Sequence, residues 1–414
     1  MPEYADFFPK LALAVALLLT ALAASPFFER IRLPSPAAFL AVGIAAGLFG
    51  VAPTGELPVV TLEQIGAVAL FAILFQGGLG TGFSAARAAA RPILALGLFG
   101  TVVTAGGLAL AAHFVLGLEW SVALLIAVAL APTDPAAVYA VLRGRSGSAR
   151  ARTVLEGESG FNDPAGIALM VAVTAAVAGS HASYGHSAFR FGEELAIGSA
   201  AGVAGGLILL AALRITRHLE EGVQAVAVLL GAMLLGSVTA TLHGSGFLAV
   251  YIAGLLLSDA WAREDGTRHA VPEALSAAAE PLLFATLGAA FAPLVGLDNI
   301  AYGIFLMVMT VFVVRPLVAS VCLIGSDLQA ADRALVSWGG LKGAVPLLLA
   351  AYPALEQFHD AETVAATVLV ATAASLVVQG GTLPLIADRA RRREQPNALS
   401  PPRCAEVDDD PRHA

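Results

Sequence analysis

Charge is scarce in this sequence. Only 13% of its 414 residues are Asp, Glu, Lys or Arg, about half the share of an ordinary soluble domain, so a water-facing globular surface is excluded. A basic surplus is also missing: 23 Lys and Arg stand against 31 Asp and Glu. With no basic face, nucleic acid is not expected as a partner. Cysteine is limited to Cys322, inside an apolar run, and Cys404, in a polar one. Two such positions form neither a disulfide framework nor a metal-ligand spacing, and no cofactor is expected.

What the chain has instead is apolar sequence. The hydrophobic share is 58%, with 42 glycines besides, and the mean hydropathy is +0.80. These values exclude a disordered chain and a coiled coil. The apolar residues form long continuous runs rather than alternating with polar ones, which excludes a transmembrane barrel. An all-α polytopic membrane protein remains. Residues 11–24 could pass for the core of a signal peptide, but Glu3 and Asp6 outweigh Lys10 before them. A secretory leader begins with positive charge, so this run is read as the first membrane helix.

A bilayer core of about 30 Å takes roughly 20 apolar residues per helix. Thirteen such runs are centred near residues 18, 43, 70, 104, 130, 165, 205, 231, 250, 283, 312, 342 and 375. With thirteen spans the termini lie on opposite sides. Nineteen Lys and Arg then fall on the side of the C-terminus and two, Lys10 and Arg190, on the other. Positive charge stays inside, which predicts a multi-pass protein of the cell membrane, N-terminus outside and C-terminus cytoplasmic. Residues 179–193 read as the longest polar loop. The expected organisation is one membrane domain, 1–387, with a short cytoplasmic tail, 388–414, and no large regulatory domain.

Two of the spans are interrupted. The fifth contains Ala131-Pro132-Thr133-Asp134-Pro135, where each proline lacks an N–H and deprives the carbonyls of Val128 and Ala131 of their helical partners. The twelfth contains Gly339-Gly340-Leu341-Lys342-Gly343, followed by Pro346. Unpaired backbone at membrane depth is tolerated where it is buried in protein or lines a watery cavity. An ionisable residue inside each break points to function rather than to a packing kink. The breaks are seven spans apart and so run in opposite directions. That position suggests two inverted six-span repeats, about 8–178 and 222–387, linked by the seventh span.

The sixth span carries Glu156, Glu158, Ser159, Asn162 and Asp163, ahead of Pro164. At 100° per residue, Glu158, Ser159, Asn162 and Asp163 fit within an arc of roughly 140°, so one face is hydrophilic. Glu156, close behind the arginine-rich stretch 143–152, suits scaffold and function equally. Hydroxyl, carboxylate, amide and freed carbonyl oxygens together replace part of the hydration shell of a small cation. A carboxylate held away from water binds either a proton or a cation, but not both. Given a site open to one side at a time, that competition is sufficient for exchange. Arg315, in the middle of the eleventh span, and Lys342 need buried counter-charges, for which Glu158 and Asp134 are available.

In this order, Thr133-Asp134, the run Glu158-Ser159-x-x-Asn162-Asp163, Arg315 and the break 339–343 resemble the monovalent cation/proton antiporters of the NhaP and NHE type, the sodium/proton exchangers. The similarity covers nearly all the apolar sequence. It implies a 13-helix inverted-repeat fold, a homodimer, and an elevator-like motion of one helix set against another. It also implies that Asp163 carries the ion, that Asn162 marks an electroneutral member, that Ser159 and Thr133 supply oxygen ligands, and that Glu158 and Arg315 form a stabilising pair. Lys342 stands where the family usually has arginine. In the third span the family often has an acid before Gly-Gly, whereas here Phe75-Gln76-Gly77-Gly78 offers a neutral amide. Sodium is the expected cation, lithium and potassium the alternatives. An intramembrane serine protease built on Gly157-Glu158-Ser159-Gly160 with His243 is the rival enzyme reading, but a triad leaves Asp163, Asp134, Arg315 and Lys342 without roles. A cation channel is the other rival, but a filter normally repeats its ligands by symmetry, and here they converge from unlike spans.

Overall fold

Backbone placed in lipid must satisfy its own hydrogen bonds, and a helix does so within one segment. The computed structural model describes residues 7–51, 59–134, 149–177, 184–262 and 270–394, and among these it contains helices and no strand. Apart from short pieces such as Phe83–Ala88, in chain order they are α1 (Phe7–Arg30), α2 (Ser35–Leu48), α3 (Val59–Thr81), α4 (Ala90–Phe114), α5 (Trp120–Ala129), α6 (Ala149–Val177), α7 (Tyr184–Ile215), α8 (Glu221–Thr241), α9 (Gly246–Trp261), α10 (Ala270–Phe291), α11 (Leu297–Cys322), α12 (Ala330–Trp338), α13 (Ala344–Leu355) and α14 (Ala361–Glu394). Among the described residues nine helices are long and apolar enough to cross a membrane, while α2, α5, α9 and α13 are apolar but shorter.

Two boundaries differ from the sequence reading. The polar stretch 179–193 is helical from Tyr184 onward, and Arg190 pairs with Glu193 one turn later at 3.6 Å. Polar side chains in that stretch therefore decorate the first turns of α7, and residues 178–183 lie outside the described ones. At the other end α14 runs on to Glu394, into the stretch expected as the tail. The segments 135–148, after the first break, and 395–414, in the tail, lie outside the described residues.

The helices pack in two sets. In one, α3 lies against α9 and α10, α2 against α1 and α10, and α7 against α8 and α9. In the other, α4 packs on α5 and α6, while α14 gathers α11, α12 and α13. The sets meet where α3 and α10 touch α13 and where α3 and α9 touch α6. Between α2 and α10 the approach is backbone to backbone: Gly43 faces Ala285 and Gly47 faces Ala289, with no room for a Cβ at either glycine. Lipid tails give no hydrophobic drive to bring helices together, so close packing of small residues supplies the attraction.

Both α4 and α11 contain a wider π-helical turn, at Ala95–Gly100 and Thr310–Val314. A π-turn inserts one residue and rotates everything after it, and such turns gather at functional sites. Arg315 follows directly after the second turn. In the first, the Cys322 thiol donates to the Ala95 carbonyl at 3.4 Å.

The α2–α10 contact gives a direct test. Gly43→Ala is expected to lower stability by about 1–3 kcal/mol through overpacking. Gly106→Ala, where a Cβ meets nothing within 4 Å, is expected to be neutral. Thermal unfolding of the two variants in detergent checks the contrast.

Candidate functional site

The site is assembled from two helix breaks that cross. The α5 helix ends at Ala129, and residues 132–134 continue without helical structure. The second interruption spans 339–343, between α12 and α13. The Asp134 amide donates to the Leu341 carbonyl at 2.8 Å, tying one break to the other through the backbone. A Cβ on Gly343 would occupy the space of the Asp134 side chain, so that position requires glycine.

Lys342 is buried, and its ammonium caps the first break. Its Nζ donates to the carbonyls of Ala131 at 3.2 Å and Pro132 at 3.0 Å. Of the two carbonyls expected to lose helical partners, Ala131 is thus satisfied by a lysine from the other break, and Val128 accepts from the Ala131 amide at 3.2 Å. On the far side α14 secures the second break. Ser375 accepts from the Lys342 amide at 3.1 Å and donates to Gln379 at 2.6 Å, and Gln379 donates to the Trp338 carbonyl at 2.8 Å. The pair Ser375 and Gln379, one turn apart in the last span, had not been singled out in the sequence; two polar residues at i,i+4 inside an apolar run were the available signal.

The polar face of α6 meets this crossing. Asn162 donates from Nδ2 to the Thr133 hydroxyl at 2.8 Å and accepts from the Thr133 amide at 3.3 Å. Thr133 and Ser159 hydroxyls share a bond of 3.1 Å. Glu158 points elsewhere, into a two-pronged pair with Arg315: one bond joins Arg315 Nη1 to Glu158 Oε1, and the second joins Nη2 to Oε2 at 2.8 Å. Arg315 Nη2 also donates to the Val336 carbonyl at 3.0 Å. Both charges are almost fully enclosed. A planar guanidinium suits this fork, and its charge does not switch.

Asp163 stands apart from these bonds. It is 4% exposed, yet its Oδ1 has no hydrogen-bond partner. It lines a cavity of about 30 Å³ with Leu70, Ile73, Asp134, Ser276, Glu280, Ala344 and Val345, room for one or two water-sized occupants. The cavity lies where α3 and α10 of one helix set face α6, α13 and the first break. Thr133, Asp134, Glu158, Ser159, Asn162, Asp163, Arg315 and Lys342 are thus brought together. Gln76 is half-buried on α3 and is not among the cavity's lining residues. Glu280, on α10, was overlooked in the sequence, although an acid next to Pro281 in an apolar run carries the usual mark of a functional residue.

Among the described residues a nucleophile reading of Ser159 finds no base. The Ser159 hydroxyl bonds to Thr133, and His243 is exposed at the end of α8.

Comparison with known proteins is consistent across sequence and fold. A family model described as sodium/hydrogen exchanger, transmembrane, matches residues 14–389. The chain is 32% identical over 395 residues to the K(+)/H(+) antiporter NhaP2 of Shewanella oneidensis, an alignment covering 93% of this chain and 68% of that protein. It is 25% identical over 415 residues to the Na(+)/H(+) antiporter NhaH of Halobacillus dabanensis, covering 93% and 98%. The solved structure of the sodium proton antiporter MjNhaP1 from Methanocaldococcus jannaschii at pH 8 has the same fold, with a TM-score of 0.76 at 24% identity over 92% of this chain and all of that one.

The Glu158–Arg315 pair yields a prediction about stability. Glu158→Gln strands a buried guanidinium, which is expected to cost about 3–5 kcal/mol. Thermal unfolding should show that loss, with a smaller change in apparent cation affinity. A variant as stable as the parent but with weakened cation affinity would make Glu158 a ligand instead.

Proposed function

The chain belongs to the sodium/hydrogen exchanger family, whose members are secondary transporters rather than enzymes, and on that premise we propose that it exchanges one monovalent cation for one proton at Asp163. The observation that carries this reading is the bare, buried Oδ1 of Asp163, beside a cluster whose other members already bond to one another. Such an oxygen gains most from whichever of the two ions reaches it. Ser159 and Thr133 lie close by to complete the cation's coordination with neutral hydroxyl oxygens. Asn162 holds Thr133 in place and contributes no charge, so the carrier moves one positive charge each way and the cycle is electroneutral.

Alternating access supplies the other half of the reading. The broken helices belong to one helix set, and α3 and α10 to the other. Motion of one set against the other exposes the cavity to each side in turn. The matching π-turns in α4 and α11, seven spans apart like the two breaks, support two inverted repeats, 8–178 and 222–387. Exposed apolar faces such as that of α8, with Leu230 and Leu234, leave surface for lipid and for a second subunit in a homodimer. The distribution of arginine supports an N-terminus outside the cell and a cytoplasmic C-terminus.

Sodium is the cation that the motif pattern implies. Potassium is the second reading, favoured by the relatives named K(+)/H(+) antiporters at 31–32% identity and by the neutral Gln76 in place of an acid. Proteoliposomes carrying a pH-sensitive dye, challenged with lithium, sodium and potassium in turn, decide between them. In the same assay Asp163→Asn is expected to abolish exchange with every cation while the protein stays folded. Substantial exchange by that variant would remove Asp163 from the mechanism.

A further inference from the structure

One wall of the central cavity has no part in the exchange cycle as described. Glu280 stands on α10, in the helix set that faces the broken helices, and lines the same cavity as Asp134 and Asp163. Its Oε1 is sealed from the surface and has no hydrogen-bond partner. Oδ1 of Asp163, a residue 4% exposed, is in the same condition on the facing set. Among the described residues no Lys or Arg side chain lines the cavity, and the Lys342 ammonium is held by the Ala131 and Pro132 carbonyls.

Carboxylate oxygens without donors are costly inside a protein. A cation between them relieves that cost on both walls at once, where an apolar or anionic occupant would not. The approach to the cavity is also marked. Ser276 lines it one turn before Glu280, and Glu273, a turn earlier in α10, is exposed. Residues 273, 276 and 280 follow the three- and four-residue steps of a single helix face, so that face leads from the open end of α10 to the cavity.

We propose that Glu280 is a cation-capturing carboxylate: a monovalent cation arriving along the Glu273–Ser276 face is bound in the cavity by Glu280 and then passed to Asp163. This deepens the exchange reading and rests on Asp163 as the carrier. Glu280 holds the ion only on its way in and out, so the exchange ratio is unaffected. Because Glu280 and Asp163 belong to different helix sets, a cation between them also bridges the sets that must move. The captured cation meets a negative charge that Gln76 does not provide.

The test uses the whole protein in proteoliposomes, titrated separately with sodium and potassium chloride. Glu280→Gln keeps the shape and removes the charge. The expected result is a rise of roughly tenfold or more in the KM for the transported cation, overcome at saturating cation, with Glu280→Asp restoring most of the affinity. An unchanged KM would overturn the proposal. Cation-dependent protection against thermal unfolding in detergent separates capture from scaffolding. Capture predicts that Glu280→Gln loses part of the protection, whereas a lowered melting temperature with full protection retained contradicts it. Asp163→Asn runs in parallel: an active Asp163→Asn defeats the exchange reading itself, while an inactive one beside an unshifted Glu280→Gln defeats only the capture role.

Discussion

The contact on which the rest of the site depends is that of the Lys342 ammonium with the carbonyls of Ala131 and Pro132. Two helices are interrupted at membrane depth, and each interruption frees backbone groups that lipid cannot satisfy. A bare carbonyl there costs several kcal/mol. Lys342 comes from one break and satisfies the other, and the bond from the Asp134 amide to the Leu341 carbonyl closes the crossing. Prolines create the need on one side, glycines allow the close approach on the other, and the lysine joins them. Everything nearby, from the position of Thr133 to the room left for Asp134 against Gly343, follows from this crossing being held.

The chemistry arises from what the crossing leaves unpaired. Arg315 is committed to Glu158, Asn162 and Ser159 to Thr133, and Lys342 to two carbonyls. Each polar group so occupied is a fixed part of the wall. Asp163 is held in the same wall without such a commitment. In the exchange we propose, a proton or a cation completes it, and each excludes the other. Coupling therefore needs no signal passed between distant sites, because the two ions compete for one oxygen pair. Glu280, on the facing helix set, extends this logic across the cavity.

Much of this was legible in the sequence, for reasons of cost. Charges and prolines inside apolar runs are expensive, so Asp134, Glu158, Asp163, Arg315, Lys342 and both breaks stood out against a background of alanine, leucine and valine. The need of each buried charge for a partner left Glu158 and Asp134 both open to Arg315, and the family resemblance implied Glu158. What the sequence concealed was set by three-dimensional register. It left Lys342 open to pairing with a carboxylate, whereas it caps carbonyls. Gln76 was aligned with a ligand position, yet the cavity lining takes Leu70 and Ile73 from that helix. Glu280 carried the same mark as the other acids but no neighbouring motif, so only the packing of α10 against the broken helices gave it meaning. Helix ends such as Tyr184 and Glu394 were misjudged because polar residues extend a helix beyond its apolar span.

The central claim is that one carboxylate, Asp163, carries either one proton or one monovalent cation, with Lys342 fixed as a structural charge. Transport in liposomes clamped at a series of potassium-diffusion potentials, with sodium or lithium as substrate, tests it most directly. Electroneutral exchange predicts that the sodium gradient needed to balance a given pH gradient is the same at every voltage. A balance point that moves with voltage would contradict the account and would assign a second transported proton, with Lys342 as the group to carry it.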